Sequence, residues 1–383
     1  MENNFLPSTT HISNYSSLNG KRVLIRLDLN VPINNKGEIL NTNRIDSTIE
    51  TLKLLSTNGA KTIIISHLGE DKQSLSIIAE YLSNTIPFFS FENATDKEIV
   101  KNRVNNISNG DILLLENIRM FDGEIENTKD FSFWLASLGD IYINNAFSVS
   151  HRKHASIVGV PEYLISYFGP LFEKEVNNLS KVLKPKHPSL LLLSGAKINT
   201  KLPLIKHYLD MNVFVFVGGA MVHNIFLELG YSIGDSLFSK EYSVPDSVLN
   251  HPNLIIPTDV ILDDGETYDV KNIPSGKKIV DTGKKTVEML KKKMETMNTV
   301  IMNGPLGIYE EGWKYGTEMT LTNMSSQKNA FTVIGGGDTI TVLDSLPNKL
   351  DFSFISLGGG AMLDFLANGS LVGIDAVLHK EKN

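Results

Sequence analysis

Six side chains in the first half of the chain are of types that hold an anion or a polyol. Asp28 and Asn30 stand in RLDLNVP, Arg44 follows, His67 lies in SHLG, Arg119 in ENIRMF and Arg152 in SHRKH. Arginine forks match phosphate and carboxylate oxygens bidentately. Asp28 and Asn30 can accept from sugar-like hydroxyls. Taken singly, a surface arginine is more often solvated or ion-paired than functional, but these residues share a position after apolar runs. His151 and His154 suggest a metal only weakly, because no further ligand cluster accompanies them.

The second half offers glycine turns. SGAKINTK, residues 194–201, carries Lys197 and Lys201 four apart, on one face if they open a helix. Free N–H groups at a helix start attract phosphate, and lysines add charge. In GGGDT, residues 335–339, the backbone can approach a phosphate while Asp338 is available for a magnesium ion. GPLG at 304–307 and GGG at 358–360 add two more turns. A lone glycine turn is often only tight-turn chemistry; four on one edge are harder to dismiss. None matches GxxxxGK[ST], nor GxGxxG after a first strand, and a protein-kinase set is missing.

Short apolar runs precede these turns. They fall at residues 22–27, 62–66, 112–115 and 141–143, then at 190–193, 213–217, 254–256, 299–302, 331–334 and 352–355. Helical patterns separate several, as at 47–58, 75–83, 202–209 and 286–296. Continuous apolar strands alternating with helices indicate parallel sheets covered on both faces. Ligands bind such sheets at the carboxyl ends of the strands. A chain of 383 residues is long enough for two domains. Between them, Phe172, Val176, Leu179 and Leu183 recur at helical spacing, with Pro170 before and Pro185 after, which predicts a connecting helix over 171–183.

Composition limits the function classes. The net charge of −7 argues against broad nucleic-acid binding. Without cysteine, disulfides and thiolate metal sites are excluded. The opening MENNFLPSTTHISNYSS lacks a charged start followed by an apolar run, so no secretory leader is expected. No apolar stretch approaches the ~20 residues that cross a bilayer.

The ordered series RLDLNVP, SHLG, ENIRMF, NNAFSVSHRKHAS, SGAKINTK, VGGAMVHNIFLELGYSIG, NGPLGIYE, VIGGGDT and SLGGGAMLDFL strongly resembles the phosphoglycerate kinase family, from about Lys21 to Val377. The resemblance implies two Rossmann-like α/β/α domains with parallel sheets, joined by a hinge helix. It divides the chain into a 3-phosphoglycerate-binding domain (1–170), the helix (171–183), a nucleotide-binding domain (184–365) and a tail packing back on the first domain (366–383). It implies reversible phosphoryl transfer between 1,3-bisphosphoglycerate and MgADP, giving 3-phosphoglycerate and MgATP, in a cytoplasmic glycolytic monomer with no nucleic-acid or membrane partner. Carried over by motif, Asp28, Asn30, Arg44, His67, Arg119 and Arg152 would hold the glycerate. Lys197 would neutralise the moving phosphoryl group, with Arg44 on its far side. Lys201, Glu310, Gly336, Gly337, Asp338 and Thr339 would hold the nucleotide, Glu310 at the ribose and Asp338 at Mg2+.

Some positions depart from the family pattern. Glu70 stands where a phosphate-binding arginine is usual; it either points to solvent, with a cation such as Lys72 substituting, or faces the phosphate. Ser194, Asn145 and Leu357 replace glycine, aspartate and threonine. These changes keep a second reading open, a kinase-like binding or regulatory protein with little turnover. A dinucleotide oxidoreductase is the fold-level alternative, disfavoured by the missing GxGxxG.

Overall fold

The structure, a computed structural model, describes residues 5–14, 17–34, 36–70, 73–196, 198–240 and 243–379. Lys197 and Lys72 therefore lie outside the described residues. The chain divides into two units, Met1–Ser180 with Asn368–Asn383, and Lys181–Ala367.

In the first unit the strands are β1 (Arg22–Arg26), β2 (Lys61–Ile65), β3 (Phe89–Glu92), β4 (Ile112–Leu115), β5 (Ile141–Asn144) and β6 (Ser166–Phe168). They form a parallel sheet in the order β3-β4-β2-β1-β5-β6. The helices are α1 (Asn43–Thr57), α2 (Ser76–Ser83), α3 (Lys97–Asn105) and α4 (Lys129–Ser137). Strand periodicity sends Val23, Ile25 and Ile64 to one face, where they pack with Leu52 of α1 and Ile78 of α2. Leu24, Ile63 and Ile65 go to the other face, against Val100 of α3 and Leu135 of α4. Three layers result. Strands β3 and β6 were not among the apolar runs because β3 alternates with polar residues and is only half-buried along its length, and β6 has just three residues.

Helix α5 (Pro170–Leu183) carries the chain from one unit into the other. Its apolar stripe is Phe172, Val176, Leu179 and Val182, all buried, so Val182 replaces the expected Leu183 at the last step. Asn145 Oδ1 accepts from the backbone N–H of Leu171 at 2.9 Å and of Phe172 at 3.3 Å, capping the helix start. Loss of such a cap costs about 1 kcal/mol. Asn145→Ala should therefore lower the unfolding free energy by about that amount, read from the denaturant midpoint at unchanged slope.

In the second unit the strands are β7 (Ser189–Leu193), β8 (Phe214–Val217), β9 (Leu254–Ile255), β10 (Asp259–Leu262), β11 (Thr267–Asp269), β12 (Ile279–Thr282), β13 (Thr299–Asn303), β14 (Phe331–Gly335) and β15 (Phe354–Ser356). Six of them make a parallel sheet ordered β15-β14-β13-β7-β8-β9. The other three form a small antiparallel sheet ordered β11-β10-β12, which the apolar-run pattern did not anticipate. Its β11 is largely exposed, so it carries no continuous apolar run. The helices are α6 (Leu202–Asp210), α7 (Met221–Glu228), α8 (Asp246–Leu249), α9 (Lys284–Met294), α10 (Tyr315–Ser325), α11 (Gly337–Asp344) and α12 (Gly359–Asn368). A last helix, α13 (Val372–His379), belongs to the first unit, where Gly373 N–H donates to the Ser150 carbonyl at 2.9 Å. Among the described residues no single helix is long and apolar enough to cross a membrane.

Candidate active site

The first unit brings its six candidate residues to the carboxyl ends of β1, β2, β4 and β5. Arg44, in the first turn of α1, donates through Nη1 to Asp28 Oδ2 at 2.7 Å and to the Asn30 carbonyl at 3.0 Å. Ser148 donates its hydroxyl to the same Asp28 oxygen. Burial would raise the Asp28 carboxyl, but Arg44, His67 and the Ser148 hydrogen bond together hold it below its ordinary value. Asn30 Oδ1 accepts the Gly69 N–H at 2.9 Å, which ties the turn after β1 to the turn after β2.

His67 sits on Nη2 of the buried Arg26 at 3.2 Å. Arginine can only donate, so the His67 Nδ1 accepts. Burial first, then the Arg26 charge, holds His67 well below the usual imidazole value, and it stays neutral. Beneath it, Arg26 Nε donates to Ser156 Oγ at 3.1 Å, and Ser156 donates to the buried Glu124 at 2.6 Å. Nearby His154 is lowered to about 4 by burial and then by Arg119, Arg152 and Arg26. Burial leads the depression of both imidazoles, and the neighbouring arginine charges add to it.

Arg119 is nearly sealed from solvent and lies in the short turn Ile118–Met120 after β4. Its Nη1 donates to the Gly69 carbonyl at 2.8 Å and meets Glu70 Oε2 at 2.8 Å. Its Nε and Nη2 are buried with no hydrogen-bond partner among the described residues. Arg152 approaches the other Glu70 oxygen at 3.5 Å. Glu70 therefore does not stand free in solvent but faces both arginines. The sequence reading missed what positions this corner. Asn117 Nδ2 donates to the carbonyls of Leu68 at 2.8 Å and Gln73 at 2.7 Å, while Glu116 accepts from Leu75 N–H at 2.8 Å and Ser74 Oγ at 2.7 Å. Both residues stand in the ENIR motif, where only the arginine attracted attention.

The second unit holds a cavity of about 380 Å³, lined among others by Gly195, Ala220, Leu306, Glu310 and Asp338. Lys201 Nζ lies 2.5 Å from the Ser194 carbonyl. Burial lowers Lys201 from 10.5 to about 8, partly offset by Asp338. Gly336 has φ +101°, which an L side chain rarely adopts, and a Cβ on Gly359 would lie 2.5 Å from the Gly336 Cα. The two glycine turns thus pack backbone to backbone. Gly337 and Asp338 open α11 and are exposed, and first-turn N–H groups have no partner within their own helix. The Thr339 hydroxyl accepts the Gly304 N–H at 3.0 Å, which leaves its own proton to donate. Tyr309, which the sequence did not single out, donates to Asp338 Oδ1 at 3.0 Å. Ser356 Oγ accepts from Gly358 N–H at 3.2 Å, so a hydroxyl serves the last glycine turn from one residue before Leu357.

Two ligand edges of this kind invite comparison with known proteins. The phosphoglycerate kinase family model matches residues 12–369. The chain belongs to the phosphoglycerate kinase family. The phosphoglycerate kinase of Borreliella afzelii is 35% identical over 386 residues, covering 95% of this chain and 98% of that protein. The solved phosphoglycerate kinase of Coxiella burnetii superposes with TM-score 0.81 at 32% identity, covering 97% of this chain and 99% of that one. The Pyrococcus horikoshii phosphoglycerate kinase gives TM-score 0.86 at 25% identity, again over 97% and 99%. Within the phosphoglycerate kinase fold, Asp28, Asn30, Arg44, His67, Arg119 and Arg152 converge on one edge of the first unit. Lys201, Glu310, Gly336, Gly337, Asp338 and Thr339 lie at the strand ends of the second.

Proposed function

We propose that the chain catalyses reversible phosphoryl transfer between 1,3-bisphosphoglycerate and ADP, giving 3-phosphoglycerate and ATP in glycolysis. The observation that carries this reading is the buried Arg119 guanidinium, whose Nε and Nη2 lack an acceptor among the described residues. A buried unpaired donor costs free energy that an anionic ligand removes. In this reading Asp28 and Asn30 accept from the glycerate hydroxyl, and Arg44, His67, Arg119 and Arg152 hold its charged ends. Lys201, Glu310, the Gly336 and Gly337 backbone, Asp338 and Thr339 hold the nucleotide in the second unit.

In the ATP-consuming direction a carboxylate oxygen of 3-phosphoglycerate bonds to the γ-phosphorus, the bond from that phosphorus to the β,γ-bridging oxygen breaks, and ADP leaves. The carboxylate is already ionised, so no general base is required. What the protein supplies is alignment and neutralisation of charge on the transferring group, with Lys197 and Arg44 in that role. The two ligands must meet, so closure of the units about α5 is part of the proposal; closure also excludes water.

A magnesium ion carried by the nucleotide fits the donor set. Asp338 offers one exposed carboxylate, and no trio of His, Cys, Asp or Glu exists among the described residues. Magnesium usually binds through one or two carboxylates and substrate phosphates. When bound it would neutralise phosphate charge. The reading further includes a cytoplasmic monomer without nucleic-acid or membrane partners; the net charge of −7 supports the first exclusion.

ATP-dependent turnover of 3-phosphoglycerate, coupled to NADH oxidation by reduction of the 1,3-bisphosphoglycerate formed, tests the proposal. Clear turnover is expected. ATP binding without turnover would sink it and favour the regulatory reading. A pH dependence follows from Lys201, which is half-protonated near pH 8 in the free protein. Phosphate contact favours the ammonium form. Above pH 8 ATP binding should therefore take up about one proton, and at pH 7 almost none, measured by calorimetry in buffers of different ionisation enthalpy.

A further inference from the structure

We propose that Glu70 is a resident counter-anion of the glycerate site, holding on Arg119 and Arg152 the place that an anionic group of the substrate takes on binding. Binding is then an exchange of one anion for another. The inference rests on the reading above for the identity of the substrate, but not for the exchange itself.

The corner is built for this contact. The turn that bears Glu70 is pinned on both sides, by Asn30 on the Gly69 N–H, by Arg119 on the Gly69 carbonyl, and by Asn117 on the carbonyls of Leu68 and Gln73. Those bonds deliver the Glu70 carboxylate to Arg119 at 2.8 Å and Arg152 at 3.5 Å. Accessibility is lopsided within the pair, with the Arg119 side chain 2% exposed and the Glu70 side chain 74% exposed. Arginine is thus the fixed, desolvated partner, and the carboxylate is the partner that can rotate into water at small cost. Burial is the largest single influence and would raise Glu70, but the hydrogen bond and charge of Arg119, joined by those of Arg152, together outweigh it and keep Glu70 below the usual carboxylate range, so it is ionised at neutral pH.

Glu70 does not satisfy Arg119 completely. It reaches only Nη1, which it shares with the Gly69 carbonyl, and leaves the Nε–Nη2 edge without an acceptor among the described residues. A ligand with three oxygens on one centre can span both edges, whereas this carboxylate cannot, so the resident anion is displaceable. While it stays, it repels an incoming anion and occupies a donor. A small tetrahedral anion should therefore bind this site weakly, and the penalty should vanish with the Glu70 charge.

Inorganic sulfate is the probe, titrated by calorimetry into the full-length protein and into Glu70→Gln and Glu70→Ala. Both variants change an exposed side chain and should fold. Sulfate should bind roughly 10- to 100-fold tighter in each, the scale of one charge-assisted hydrogen bond. Adding Arg119→Met to Glu70→Gln should abolish the gain, which assigns it to this corner rather than to the nucleotide turns. In the coupled assay the KM for 3-phosphoglycerate should fall by a similar factor. Unchanged or weaker sulfate binding in both Glu70 variants overturns the proposal, as does a gain that survives Arg119→Met. If sulfate tightens as expected while no variant turns over 3-phosphoglycerate, the exchange stands and the assigned reaction fails.

Discussion

Alanine at Lys197 should lower kcat by about three orders of magnitude while changing the KM for ATP far less. The transferring phosphoryl group spreads negative charge over its oxygens in the transition state, and the protein's task is to neutralise it. Removing one preorganised donor from such a site costs about 10²–10³ in kcat. In the proposed role Lys197 supplies a full cation to the moving group, which belongs at the upper end of that range. Lys201 cannot substitute, because its Nζ is held on the Ser194 carbonyl and burial brings it to about 8. Lys201→Ala should instead raise the KM for ATP, and the contrast between the two variants separates transfer from binding. A Lys197→Ala enzyme with kcat within threefold of the parent would remove Lys197 from the mechanism.

The parallel sheets were legible because central strands must be apolar on both faces. For Leu190 to Leu193 and Ile112 to Leu115 the period alone does not separate strand from buried helix, but the short length of the runs favours strand, and all eight are buried. Strands β3 and β6 lack that signature: FSFE at β3 alternates with polar residues, and β6 has three residues. In the small antiparallel sheet, β11 was hidden because Thr267 to Asp269 is largely exposed. Among site residues, arginines and glycine turns were visible by type. Their supporting shell was not. Glu116 and Asn117 look like ordinary polar residues, and only the folded chain shows them fastened to Leu75 and Leu68. Tyr309 meets Asp338 across 29 positions of sequence, which no local pattern records. Glu70 stood out only as a departure from the family motif. Which way it pointed depended on the turn at Gly69, whose φ of +63° is a property of the fold.

Arg119→Met should move binding and stability in opposite directions. The side chain is 2% exposed, and two of its nitrogens have no partner among the described residues. Each buried unsatisfied donor costs ~1–3 kcal/mol, so the free protein bears this site as a strain on its stability. Methionine fills similar space, carries no charge and adapts to irregular packing. Glu70, being exposed, returns to water when its partner disappears. Replacement of a buried charge by an apolar side chain is often neutral or stabilising, so the denaturant midpoint should hold or rise. The glycerate site, by contrast, loses a cation and its unmet fork. Two charge-assisted hydrogen bonds at ~1.5–3 kcal/mol each correspond to roughly 10²–10⁴ in affinity. The KM for 3-phosphoglycerate should rise on that scale, with the KM for ATP as an internal reference on the other unit. A variant that loses stability and substrate affinity together would mean that Arg119 serves the fold through its bond to Gly69. Lost affinity with stability kept or gained means that the fold carries this buried cation for the ligand.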